Sequence, residues 1–140
     1  MKKNYVIPVI LMFLIMMFIS CEFNFSTANV SDIKICERME GNLCNTDLPV
    51  LSSVTSQIFA SCALKNAPSN TEVLFIWKYL EGSPLIIDEV TMNSGDKGTN
   101  LDIHSSLSRP YNGWPKGRYA VEILVDGNKE NKKVKNFEIQ

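Results

Sequence analysis

Beyond residue 30 the chain alternates apolar and polar positions with a period of two, the spacing that puts successive side chains on opposite faces of a strand. Ile33 and Ile35 alternate with Asp32 and Lys34, predicting a first strand near residues 30–36. Ile58, Ala60, Cys62 and Leu64 share one face of a second strand over Gln57 to Leu64. In the third, Val73, Phe75, Trp77 and Tyr79 alternate with Leu74, Ile76 and Lys78. Both its faces are apolar at the centre, which predicts a central strand. Ile86, Val90 and Met92 are expected to share a face between Leu85 and Met92, and Leu101, Ile103 and Leu107 mark a fifth strand. The clearest alternation sets Tyr119, Val121, Ile123 and Val125 against Arg118, Ala120, Glu122 and Leu124, and Lys132 to Ile139 closes the series. No window sustains a 3.6-residue apolar period.

The segments between are turn-like. Residues 37–56 are polar, with Pro49 and a Ser/Thr cluster from Ser52 to Ser56. Asn66 to Asn70, Glu81 to Pro84, Asn93 to Gly98 and Arg109 to Lys116 are loops by composition. Asp126-Gly127 is a hairpin signal. About seven strands joined by such turns predict an all-β protein, a β-sandwich over residues 30–140.

The first residues have another character. Lys2 and Lys3 precede an apolar run from Tyr5 to Ile19, and Ser20 stands before Cys21. A charged start, a short apolar middle and a small residue before the cut describe a secretory signal peptide. The segment Phe18-Ile19-Ser20-Cys21 resembles the lipobox of bacterial lipoproteins, with Phe18 where the usual residue is aliphatic. That resemblance implies cleavage after residue 20 and acylation of Cys21, with residues 21–29 as a spacer. An uncleaved anchor and a plain signal peptide cut elsewhere remain open. All three readings put the rest of the chain outside the cytosol, and the lipidated one anchors it at a cell membrane or outer membrane.

Without Lys2 and Lys3 the chain carries 12 basic against 15 acidic side chains. Mild acidity supplies no basic field for nucleic acid. Three cysteines follow Cys21: Cys36, Cys44 and Cys62. Cys36 and Cys44 flank a turn containing Gly41 and Asn42, so the expected bridge is Cys36–Cys44, with Cys62 a small core residue. Bridges from Cys62 to either partner stay open at this point, because pairing depends on spatial reach.

Cys62 on the second strand, Trp77 on the third and Gly117-x-Tyr119-x-Val121 on the sixth resemble an immunoglobulin-like sandwich. In that family the tryptophan packs over a disulfide between strands two and six, and the tyrosine hydrogen-bonds back to the chain. Val121 stands where the second cysteine would be, so the resemblance implies Trp77 packed on apolar groups instead. Leu64 to Pro68, Leu107 to Pro110 and Gly113-Trp114-Pro115-x-Gly117-x-Tyr119 also resemble a small domain of exported bacterial proteins, a likeness that implies no activity.

Chemistry has few candidates. His104 is the sole histidine, expected to point opposite Ile103 toward solvent. Met92 and His104 are sparse copper ligands, and Cys62 with His104 is the only Cys–His combination. Asp88 and Glu89, adjacent on a strand, face opposite sides and cannot pair for acid–base work. No enzyme activity, metal or cofactor is expected. Arg109, Tyr111 and Trp114 join a guanidinium and two aromatics on a proline-stiffened loop, the composition of a binding hot spot. The competing reading is that this loop closes one end of the sandwich. The function expected is a membrane-anchored protein-binding or assembly module, with the membrane held through lipid and an envelope protein as partner. The alternatives are a secreted protease inhibitor, or a carbohydrate- or envelope-binding module using the Arg109–Trp114 loop.

Overall fold

The computed structural model describes residues 27–140; the signal segment 1–20, Cys21 and the spacer up to residue 26 lie outside the described residues. The described chain forms eight strands: β1 (Asn29–Cys36), β2 (Val50–Leu51), β3 (Gln57–Lys65), β4 (Glu72–Tyr79), β5 (Leu85–Asn93), β6 (Leu101–Ser108), β7 (Gly117–Val125) and β8 (Lys133–Ile139). One sheet has the order β1-β3-β6 and the other β2-β8-β7-β4-β5. Seven of the eight are the strands the alternation predicts. The additional one, β2, is two residues long and runs parallel to β8, with Val50 opposite Glu138 and Leu51 opposite Ile139. A pair so short leaves no periodic signal, which is why residues 37–56 read only as turns.

The two sheets close over one apolar layer. Ile58, Ala60, Cys62 and Leu64 of β3 meet Val73, Phe75 and Trp77 of β4 and Tyr119, Val121 and Ile123 of β7, all of them buried. Trp77 and Val121 are register partners, and the Trp77 indole donates to Ser105 Oγ at 3.0 Å. The all-β sandwich is therefore held by packing of the tryptophan, without an inter-sheet disulfide. Among the described residues no buried side-chain polar atom lacks a partner.

Besides the register shift between Ser31 and Lys34 in β1, two local features depart from the expected pattern. Between Trp77 and Lys78 the pairing with β5 slips: Trp77 opposes Asp88 and Lys78 opposes Ile86, leaving Ile87 as the extra residue of a bulge. Every position before the bulge changes face. Ile86 therefore lies on the outer side with Lys78, whereas Val90 and Met92 point inward beside Phe75 and Val73. The shared face expected for Ile86, Val90 and Met92 is corrected accordingly. The second feature is at the β7–β8 connection. Asp126 and Gly127 do turn the chain, with φ of 49° and 68°, and Asn128 donates its N–H to the Val125 carbonyl at 2.9 Å. The strand β8 starts only at Lys133, so the hairpin loop is longer than the dipeptide suggests.

The disulfide is Cys36–Cys44, and Cys62 is free and buried. Cys36 stands opposite Phe59, on the outer side of the three-stranded sheet. Cys44 N–H donates to Ser61 Oγ at 2.9 Å, so the bridged loop folds back over the outside of β3. The same segment then covers the edge of β1: Ile35 N–H donates to Asp47 Oδ1, and Leu48 N–H to the Ile35 carbonyl.

Candidate functional site

The Arg109–Trp114 loop joins β6 to β7 across the end of the sandwich where β3 begins. Its path is set by hydrogen bonds to residues 54–56, far away in sequence. Arg109 Nη1 donates to the Val54 carbonyl at 2.8 Å, and Arg109 N–H to the Ser56 carbonyl at 2.9 Å. Trp114 Nε1 donates to the Thr55 carbonyl at 2.6 Å. Further on, Tyr119 Oη donates to the Pro115 carbonyl at 2.6 Å, the bond back to the chain that the resemblance implied. Tyr79 Oη donates to the Lys116 carbonyl at 3.0 Å and so ties the loop to the end of β4. The Tyr119 hydroxyl is pushed up to a pKa of about 12 by burial, with Tyr79 adding to it.

This arrangement divides the three candidate residues. Trp114 is buried in the core cluster. The Arg109 guanidinium is turned back onto Val54. Tyr111 alone projects, fully exposed. The loop of residues 52–56, to which Arg109 is bonded, presents Val54, 72% exposed. Arg109 and Trp114 therefore close the end of the fold and hold the frame from which Tyr111 and Val54 stand out. The N-terminal end of the described chain lies at the opposite end, where Thr27 Oγ1 donates to the Asn66 carbonyl. The eight residues of β1 separate the two ends by about 25 Å, at roughly 3.3 Å per residue.

No family model and no curated protein matches the sequence. A solved β-glucosidase from Erythrobacter marinus is similar in fold over 81% of this chain, with a TM-score of 0.48 and 8% identity. The likeness covers 15% of the β-glucosidase chain.

The remaining candidates do not converge. His104 is opposite Ser61 on the outer side of β6, whereas Cys62 is opposite Ile103 and points into the core. The sheet stands between the thiol and the imidazole, and burial, with Asp102 adding to it, pushes the Cys62 thiol to a pKa of about 12. Met92 faces inward on β5, in the other sheet from His104. Asp88 and Glu89 are opposite Trp77 and Ile76 and so lie on different faces. Among the described residues no group of three or more His, Cys, Asp or Glu side chains is placed to hold a metal ion.

Two features were missed in reading the sequence. A cleft of about 500 Å³ opens where the edges of β5 and β6 fail to meet, lined by the apolar Leu64, Val73, Met92, Leu101 and Ile103. The second is β5 itself. Its first three residues, Leu85, Ile86 and Ile87, are 62%, 51% and 40% exposed. The unbroken apolar tripeptide is a signal the sequence did carry, but the alternation places only Ile86, on one face with Val90 and Met92.

Proposed function

We propose that this chain is an exported lipoprotein, held at a membrane by acyl groups on Cys21, whose sandwich is a protein-binding or assembly module of the cell envelope. The observation that carries the binding reading is Tyr111. A fully exposed tyrosine on a loop fastened at both sides by Arg109 and Trp114 loses little conformational freedom when it is covered. Rigid aromatic anchors of this kind contribute most of the affinity at interfaces.

The tether fits the same picture. The end carrying Tyr111 faces away from the N-terminal attachment, so it is open to a partner in the envelope. One acyl chain gives only marginal membrane binding, while two or more hold a protein there stably. With Trp114 in the core, a sugar-stacking or protease-wedge role would rest on Tyr111 and Val54 alone.

Crosslinking in native membranes, followed by pull-down of the C-terminally tagged chain and mass spectrometry, tests the reading. Acylated Cys21 and one reproducible envelope protein linked near Tyr111 or on β5 are expected. Recovery of an unacylated chain from the soluble fraction, or of the acylated chain always alone, contradicts it.

A further inference from the structure

Strand β5 bonds to β4 on one side, and no described strand pairs with its other side. Open edges invite pairing, and proteins usually blunt them with charged side chains, proline, bulges, short length or a covering segment. The three-stranded sheet follows that rule. Its β1 edge is covered by Asp47 and Leu48, and its β6 edge carries Asp102, His104, Ser105 and Ser106. β5 carries a bulge and two carboxylates at its middle, but it is nine residues long, has no lysine or proline, and leaves the run Leu85-Ile86-Ile87 exposed at its start. Consecutive exposed apolar residues are a fault in a soluble surface unless they serve binding.

The bulge at Ile87 increases the exposure, because it moves Ile86 to the outer side. Immediately after the apolar run come Asp88 and Glu89, both exposed and outside every ion pair of the described residues. The first five residues of the edge are thus three apolar and then two anionic. This pattern selects among occupants. Two copies of β5 paired antiparallel about a two-fold axis would set Glu89 against Glu89, or Asp88 against Asp88. Centred on Ile87 instead, the pair would put Leu85 and Ile86 against the carboxylates of the second copy. Like charges directly opposite are destabilising, and apolar residues opposite carboxylates add nothing. Registers centred on Ile86 or Thr91 avoid these pairings but overlap only three or five residues of the strand, so a second copy is a poorer fit than a strand carrying cations.

We propose that the open edge of β5 takes an extended segment of a partner as an added strand. That segment has apolar residues against Leu85 to Ile87 and lysine or arginine against Asp88 and Glu89. Main-chain hydrogen bonds would give affinity and the alternate side chains specificity, as in other strand additions. The inference rests on the binding-module reading and names the surface and the chemistry of its partner. The site shares an end of the sandwich with Tyr111. Leu85 is the register partner of Tyr79, whose hydroxyl bonds Lys116 in the Tyr111 loop.

The test uses a labelled peptide with two consecutive lysines beside three consecutive valines, and a matched peptide with glutamates in place of the lysines, titrated against the full chain in detergent micelles. Saturable binding of the lysine peptide and weaker binding of the glutamate peptide are expected. Reversing both edge charges, Asp88→Lys with Glu89→Lys, should cost the lysine peptide roughly tenfold in Kd, the effect of about 1.4 kcal/mol. Reversing two exposed carboxylates elsewhere, Asp96→Lys with Glu130→Lys, makes the same change in net charge and should leave the affinity within about twofold. Ile86→Lys, on an already exposed position, should also weaken binding. Equal losses in both double variants would reduce the effect to net charge and overturn the proposal. So would no binding of the lysine peptide, or a dimer that Glu89→Lys dissolves. Failure here leaves crosslinks from Tyr111 untouched, so the broader reading is judged separately.

Discussion

Trp114 gives its indole N–H to the carbonyl oxygen of Thr55 at 2.6 Å, across 59 positions of sequence. The bond is buried, so its loss leaves the Thr55 oxygen unsatisfied away from water. Such a group costs about 1–3 kcal/mol. Trp114→Phe should lower stability by that amount in urea unfolding, and Trp114→Ala by roughly 3–5 kcal/mol as a cavity opens. Tyr111→Ser, at a fully exposed position, should change stability by less than about 0.5 kcal/mol. Equal losses from Tyr111 and Trp114 would contradict the division of the loop into frame and displayed residue.

Gly117 provides a backbone test at the start of β7. Its φ is +137°, and an added Cβ would lie 2.5 Å from Glu81 Cγ. Glu81 Oε1 accepts both the Arg118 N–H at 2.9 Å and its Nε–H at 3.1 Å. Gly117→Ala should therefore strain the backbone and displace Glu81, at a cost of about 1–3 kcal/mol. A Tm unchanged from the parent chain would show that neither constraint holds.

Glu122 sits on the outer face between Lys78 at 2.8 Å and Lys132 at 3.2 Å. Burial alone would raise its pKa, but the hydrogen bonds and charges of the two lysines outweigh it and hold the carboxyl below its usual 4.5. Asp47 behaves likewise: burial raises it, but Lys135 and the Ile35 N–H bring it below 3.8. A carboxylate with a depressed folded pKa stabilises above its unfolded pKa, and that contribution disappears as the pH falls through the folded value. Stability should therefore drop below about pH 4.5, and Glu122→Gln should flatten that slope. Parallel curves for the two proteins would exclude Glu122 as a source.

The Cys36–Cys44 bridge closes a short loop, with a sequence separation of 8. Loop-closure entropy for that length amounts to about 2.5 kcal/mol. Cys36→Ala with Cys44→Ala should lose roughly this much in denaturant unfolding and keep the β-rich circular dichroism spectrum. Collapse to a disordered spectrum at neutral pH would mean that the bridge, rather than the layer around Trp77, sustains the fold.

The strands were legible because alternation is a local property. Tyr119, Val121 and Ile123 face inward as their spacing requires, and Trp77 meets Val121. On β5, position on a face was legible only from Asp88 onward, beyond the bulge. Nothing in Leu85-Ile86-Ile87 says that Ile87 is unpaired, because the slip is decided by how β5 docks on Trp77 and Lys78. The two-residue β2 depends entirely on β8, its distant partner. Arg109, Tyr111 and Trp114 posed a different problem. A hot spot and an end clasp have the same composition, and Thr55 and Val54, the residues that distinguish them, are remote in sequence. The cleft beside Met92 exists because two sheet edges do not meet, a property of neither strand alone.

Site-specific photocrosslinking in native membranes, with the probe residue replacing Tyr111, tests the binding reading most directly. One reproducible partner should be captured from this position, and capture should fail with the probe at exposed Lys129, at the tethered end. The same unselective background from both positions would contradict the account.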